Sequence, residues 1–185
     1  MPDILAASPR DRILQTALAL FYADGLRVGI DRIIAEAGVA KASFYRYFPA
    51  KDDLIQAFLE ARHEHWMAWF SGRLDALCAS HPPSLALAGV ALGEWFAEPT
   101  FRGCAFINAM ADSSLAPSSV GVVQRHKQDL QACLAKLAQL AGAPCPEAAA
   151  EEALLIVEGA IVRAHMTGDR ATAALAASML GRLDG

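Results

Sequence analysis

Charged residues make up only 19% of this 185-residue chain and aromatic residues 8%, and its four cysteines show no paired spacing. Scarce charge beside a hydrophobic content of 55% excludes a disordered chain and leaves ample material for a core. Long apolar runs are missing too. The longest uncharged stretch, Ala76 to Gly93, is cut by Ser80, His81, Pro82 and Pro83, so no membrane-spanning segment is expected. Near the N-terminus Asp3 stands where a secretory leader needs positive charge, and no apolar h-region follows; a cytoplasmic protein is expected.

Cys78, Cys104, Cys133 and Cys145 lack the C-x-x-C pairing of zinc ribbons and thioredoxin-like sites, and read most simply as reduced, small hydrophobes. Cys104 alone, two residues after Arg102, has the positive neighbour that a redox-sensing thiol needs. His63 and His65 are two apart on an expected helix and point to different faces, and His126 stands by itself, so no metal site is expected. The chain has no H-E-x-x-H, phosphate-binding P-loop, dinucleotide-binding glycine fingerprint or G-x-S-x-G, which disfavours an enzyme and leaves no cofactor to assign.

What is abundant is alanine, 39 residues, the strongest helix former. Ser8-Pro9-Arg10-Asp11 reads as a helix start, with Ser at the N-cap, Pro at N1 and an acid at N3. Ile13, Ala17 and Phe21 then form a stripe that Gly25 ends. Ile30, Ile33, Ile34 and Ala37 form a second, short helical face between Gly29 and Gly38, and Lys41 to Phe48 a third helix closed by Pro49. A long helix from Lys51 ends before His81-Pro82-Pro83, and further helices are expected at about 84–97, 104–111, 119–141, 147–167 and 170–183, separated by Gly, Pro and Ser punctuation. No strand pattern competes, so the expected fold is all-α.

The net charge of -4 argues against nucleic acid until it is read locally. Residues 1–65 are net -1 and residues 66–185 net -3, yet Lys41 to Lys51 holds Lys41, Arg46 and Lys51 and no acid. Two short helices joined by a glycine turn make a helix-turn-helix candidate. With Phe44 and Phe48 four apart and facing inward, Lys41, Ala42, Ser43, Tyr45 and Arg46 turn outward and Tyr47 lies at the margin. Cations, a hydroxyl, phenols and one small residue are what a major groove and its phosphates accept, and Lys51 adds a charge at the next helix start.

Arg12-Ile13-Leu14, Ala17, Leu20-Phe21, Gly25, Ile33, Ala37-Gly38-Val39, Lys41, Ser43 to Phe48 and Lys51 to Leu54 together resemble the tetracycline-repressor-like family of bacterial transcriptional regulators. The resemblance covers roughly the first third of the chain. It implies a three-helix DNA-binding domain at 1–50 and a helical effector-binding and dimerisation domain at 51–185. It also implies that Lys41 and Ala42 approach base edges of a double-stranded operator while Ser43, Tyr45, Tyr47 and Lys51 hold phosphates. Gly29 and Ala40 stand where family members carry polar helix caps, Ile34 where a small Ala is common, and Tyr47 where His is common.

Beyond residue 65, Trp66, Trp69, Phe70, Trp95, Phe96, Phe101, Phe106 and Met110 are candidates to line an apolar cavity for a small-molecule effector of unknown identity, with Asn108 and His126 as orienting polar groups; ordinary core packing is the alternative. The resemblance further implies a homodimer whose four-helix interface uses the 119–141 helix, with Val123, Leu130, Leu134 and Leu137, and the 151–167 segment, with Ala153, Ile156, Val157, Gly159, Ala160, Ile161 and Ala164. Packing within one chain is again the alternative reading.

Overall fold

A computed structural model describes residues 8–185, and among them only helices and turns occur. In order they are α1 (Pro9–Asp24), α2 (Ile30–Ala37), α3 (Lys41–Tyr47), α4 (Lys51–Cys78), α5 (Ala86–Ala97), α6 (Ala105–Met110), α7 (Pro117–Ala141), α8 (Pro146–Thr167) and α9 (Thr172–Leu180), with a closing 3-10 turn at Gly181–Leu183. The described residues form two compact units. One holds the chain through His63 together with Ala105–Val123, and the other holds Glu64–Cys104 and Gln124–Gly185. No described helix is long and apolar enough to cross a membrane.

In the first unit, Ser8 Oγ accepts from the Asp11 amide at 3.2 Å while Asp11 Oδ2 accepts from the Ser8 amide at 3.3 Å, so two helix-end donors of α1 are satisfied reciprocally. Its stripe of Ile13, Ala17, Leu20 and Phe21 is buried, as are Ile33 and Ala37 of α2 and Phe44 and Phe48 at α3. Gly38, at φ +62°, makes the left-handed turn between α2 and α3 that a side chain would resist, and its N–H closes α2 on the carbonyls of Ile34 and Ala35. Phe21 meets Phe58 of α4 edge to face at 5.5 Å. Each fully buried Phe contributes about 1.5–3 kcal/mol, enough to pin a helix as short as α3 to the unit.

In the second unit α5 lies against α9 so closely that a Cβ on Gly89 would come within 2.5 Å of the Ala177 backbone. The Asp184 carboxylate accepts from the Leu85 amide at 2.9 Å and from Ser84 Oγ at 2.5 Å, and Ser84 Oγ accepts from the Ala86 amide at 3.0 Å. These groups cap α5, which therefore begins at Ala86 and not near 84. The opposite shift occurs at α7, which starts at Pro117, two residues before the expected 119. Proline needs no amide acceptor in a first turn, and Ala116 O accepts from the Val120 amide at 3.0 Å.

Burial shows which of the residues expected at an interface on the 119–141 and 151–167 helices pack within the chain instead. Val123, Leu130, Leu134 and Leu137 of α7 are all buried within the chain, as are Ala153, Val157, Ala160, Ile161 and Ala164 of α8. Ile156 is half-buried and Gly159 exposed. The apolar side chains left outside on these helices and α9 are at other positions: Leu140 at 54% exposure on α7, Leu155 at 69%, Val162 at 37% and Met166 at 78% on α8, and Leu175 at 52% on α9. A groove of about 360 Å³ between α8 and α9 is lined by Leu155, Gly159, Arg163, Leu175 and Met179 among others.

Candidate nucleic-acid interface

Neither Gly29 nor Ala40 caps its helix with a side chain, so α3 is held by its backbone bonds and by what it buries. Phe44 and Phe48 lie inward, 6.2 Å apart between ring centres, which fixes the rotation of the helix about its axis. Lys41, Ala42, Tyr45 and Arg46 are consequently exposed together, and Ser43 and Tyr47 are half-buried at the margins. The Tyr45 ring leans edge-on against Phe44 at 5.3 Å and is 41% exposed. The Arg46 guanidinium lies 4.9 Å from the Tyr47 ring centre and donates to the Tyr47 hydroxyl at 3.3 Å, so the two side chains brace one another. Lys51, at the start of α4, sits 5.9 Å from the Phe21 ring centre. Ala50 N–H donates to Asp53 Oδ2 at 2.8 Å, which caps that turn.

The island that is acid-free in sequence acquires acids in space. Lys41 Nζ donates to Asp31 Oδ1 of α2 at 3.1 Å, and this hydrogen bond, followed by the charge of Asp31, raises the Lys41 pKa. Asp112, on the turn after α6, accepts from Ser114 Oγ at 2.7 Å and from its amide at 3.0 Å. Those bonds hold its carboxyl below the usual range, with smaller help from the charges of Arg27 and Lys51. Arg32 is engaged by Asp24 at 2.8 Å and Glu36 at 2.7 Å. One cation was missed by the sequence reading: Arg10 lies over the Phe48 ring at 5.5 Å. It stands three residues before Ile13 and seven before Ala17, so helical periodicity, which puts it on their face, was the available signal.

In the second unit the expected aromatic residues do meet. Trp66 stacks on Phe70 at 4.7 Å and meets Trp95 at 5.5 Å and the His126 ring at 5.4 Å. Trp69 lies 6.4 Å from Trp95, and Phe101 lies 5.1 Å from Trp95 and 4.9 Å from Phe96. The buried Trp66 Nε1 has no hydrogen-bond partner among the described residues. Phe106, Asn108 and Met110 belong to α6 in the first unit, where Phe106 is buried while Asn108 and Met110 are exposed. Cys104 is buried, with the Lys127 ammonium 3.7 Å from its Sγ and Lys127 itself held by Glu158 at 2.8 Å. Burial pushes the thiols of Cys78 and Cys133 up.

A family model described as bacterial regulatory proteins, tetR family, matches residues 13–58, which contain most of α1, all of α2 and α3 and the start of α4. Over 65 residues the chain is 37% identical to an uncharacterized HTH-type transcriptional regulator of Bacillus subtilis (strain 168); the match takes 35% of this chain and spans about a third, 34%, of that relative. Among solved structures, a TetR-family transcriptional regulator from Streptomyces coelicolor is 30% identical with a TM-score of 0.79, covering 95% of this chain and 94% of that one. Regulatory protein TetR from Rhodobacter sphaeroides is 26% identical with a TM-score of 0.80, covering 95% and 98%. The likeness thus extends from the helix-turn-helix through the helical remainder, and the chain belongs to the TetR family of transcriptional regulators, which are not enzymes.

Proposed function

We propose that this chain is a homodimeric, cytoplasmic repressor that binds a double-stranded operator through α3 and leaves it when a small molecule binds the helical region. The observation that carries the reading is the outward set Lys41, Ala42, Tyr45 and Arg46, held in place by the buried Phe44. Lys41 and Ala42 approach base edges, Ser43, Tyr45, Tyr47 and Lys51 hold phosphates, and Arg46, braced on Tyr47, supplies further positive charge. DNA binding resides in residues 1–50 and effector binding and dimerisation in 51–185.

The dimer reading draws on the exposed Leu155, Met166 and Leu175 of α8 and α9, apolar side chains that a second copy would cover. A dimer sets two copies of α3 at a fixed separation, and half-sites about 34–36 Å apart are then read together. The effector reading draws on the cluster of Trp66, Trp69, Phe70, Trp95, Phe96, Phe101 and His126. A ligand shifts the dimer toward a geometry unable to engage both half-sites only by as much as it binds that geometry better.

Selection of bound fragments from genomic DNA, followed by mobility shifts across a salt series, tests the reading. Specific binding that weakens steeply with salt and is lost in Lys41→Ala and reduced in Tyr45→Phe is expected. Absence of binding at low salt overturns operator recognition, and DNA affinity unchanged at saturating effector overturns ligand release.

A further inference from the structure

We propose that the second unit carries a pocket for a small monocarboxylate with an apolar body, built where the segment after α5 meets the turn between α8 and α9. The pocket has a volume of about 200 Å³, and its chemistry comes from Phe96, Glu98, Phe101, Arg102, His165 and Arg170. A volume of about 150 Å³ is enough for benzene, so this partly open, mixed polar and apolar space has room for a carboxylate on a single ring or an equivalent aliphatic body.

Each wall has a distinct task. Phe96 and Phe101, 4.9 Å apart, supply the apolar side. Arg102 donates Nη1 to Pro99 O at 3.1 Å and to Phe101 O at 2.8 Å, which fixes one cation on the loop. The His165 ring stands perpendicular to Phe101 at 6.2 Å and presses on Gly103, where an added Cβ would lie 2.9 Å from the imidazole. Arg170 is different: it is exposed and its side chain makes no hydrogen bond or ion pair among the described residues, so its planar fork is available to a carboxylate.

Charge decides between anions. The lining holds two guanidinium groups and one carboxylate, Glu98, an excess of one positive charge from these three side chains. The C-terminal ends of α5 at Ala97 and α8 at Thr167 bring partial negative charge to the same place. Those ends, about -0.5 each, offset the excess positive charge, so a carboxylate is held by the directed Arg170 fork and not by net charge, and the second charge of phosphate is disfavoured. Occupancy of the pocket does not require that DNA affinity respond to it, so it stands apart from the repressor reading.

Calorimetric titration of the full-length, DNA-free protein with sodium benzoate provides the test, with tryptophan fluorescence in parallel because Trp95 lies 5.1 Å from Phe101. Saturable binding in the millimolar range or tighter is expected, with benzamide, which has the shape without the charge, weaker by about tenfold or more. Arg170→Ala is expected to weaken benzoate by about tenfold while melting temperature and operator binding stay unchanged, and Arg170→Lys to retain part of the affinity. Inorganic phosphate is expected not to displace benzoate. No saturable benzoate binding, equal binding of benzamide, displacement by phosphate, or undiminished binding by Arg170→Ala each overturns the proposal.

Discussion

Gly89→Ala adds one methyl group to α5, and the structure fixes what that methyl meets. The new Cβ lies 2.5 Å from both Cα and N of Ala177 and 2.6 Å from its Cβ. Carbon atoms prefer about 3.5–4.0 Å, so α9 must retreat by roughly 1 Å, and because two of the three atoms are backbone no rotamer change relieves the contact. Overpacking of this kind costs about 1–3 kcal/mol, against which alanine recovers about 0.5–1 kcal/mol of helix propensity over glycine. A domain of this size loses about 2–4 °C of Tm per kcal/mol, so a fall of a few degrees is expected by circular dichroism at fixed protein concentration. Gly72→Ala is the matched control: it lies in α4, its Cβ meets nothing within 4 Å, and the same chemical change is expected to raise Tm slightly. Because α9 carries Leu175, the displaced helix is expected to weaken self-association as well. A Gly89→Ala protein as stable as the Gly72→Ala control would refute the close approach of α5 and α9.

Lys51→Ala is expected to weaken binding about uniformly across DNA sequences and to lower the salt slope by about one per protomer in titrations at several salt concentrations, since a phosphate contact carries charge and little sequence information. Replacing Leu155 and Leu175 together by Glu buries four carboxylates per dimer if α8 and α9 are covered by a second copy; light scattering is then expected to report a monomer with an unchanged helical spectrum. The Glu94 carboxyl, which accepts from Arg73 at 2.6 and 2.7 Å, is held below the usual glutamate range by that bond and then by the charge. Its folded-state pKa is depressed, so its small stabilising effect is present above the unfolded pKa and lost as pH falls through the folded one. An NMR titration of Glu94 is expected to move back to the ordinary range in Arg73→Gln.

Local signals were legible where a few neighbouring residues decide the outcome. Ser8 to Asp11 specified the start of α1, Gly38 the turn before α3, and the four-residue spacing of Phe44 and Phe48 the face that α3 turns outward. Helix starts governed from afar were misplaced: Asp184 reaches α5 from a hundred residues away in sequence, which no local pattern near Ser84 encodes.

By itself the sequence determined the all-helical class, the helix-turn-helix and the side chains α3 presents, because periodicity and glycine placement act within one or two turns. The tertiary structure decided what depends on packing between elements distant in the chain. It brought Asp31 to Lys41, so that an island free of acid in sequence is partly neutralised in space. It also buried the apolar stripe of α7 and left Leu155, Met166 and Leu175 outside. The physical reason is common to both: a cation or an apolar stripe specifies what kind of group should meet it, and only the packed chain shows whether that partner comes from the same molecule.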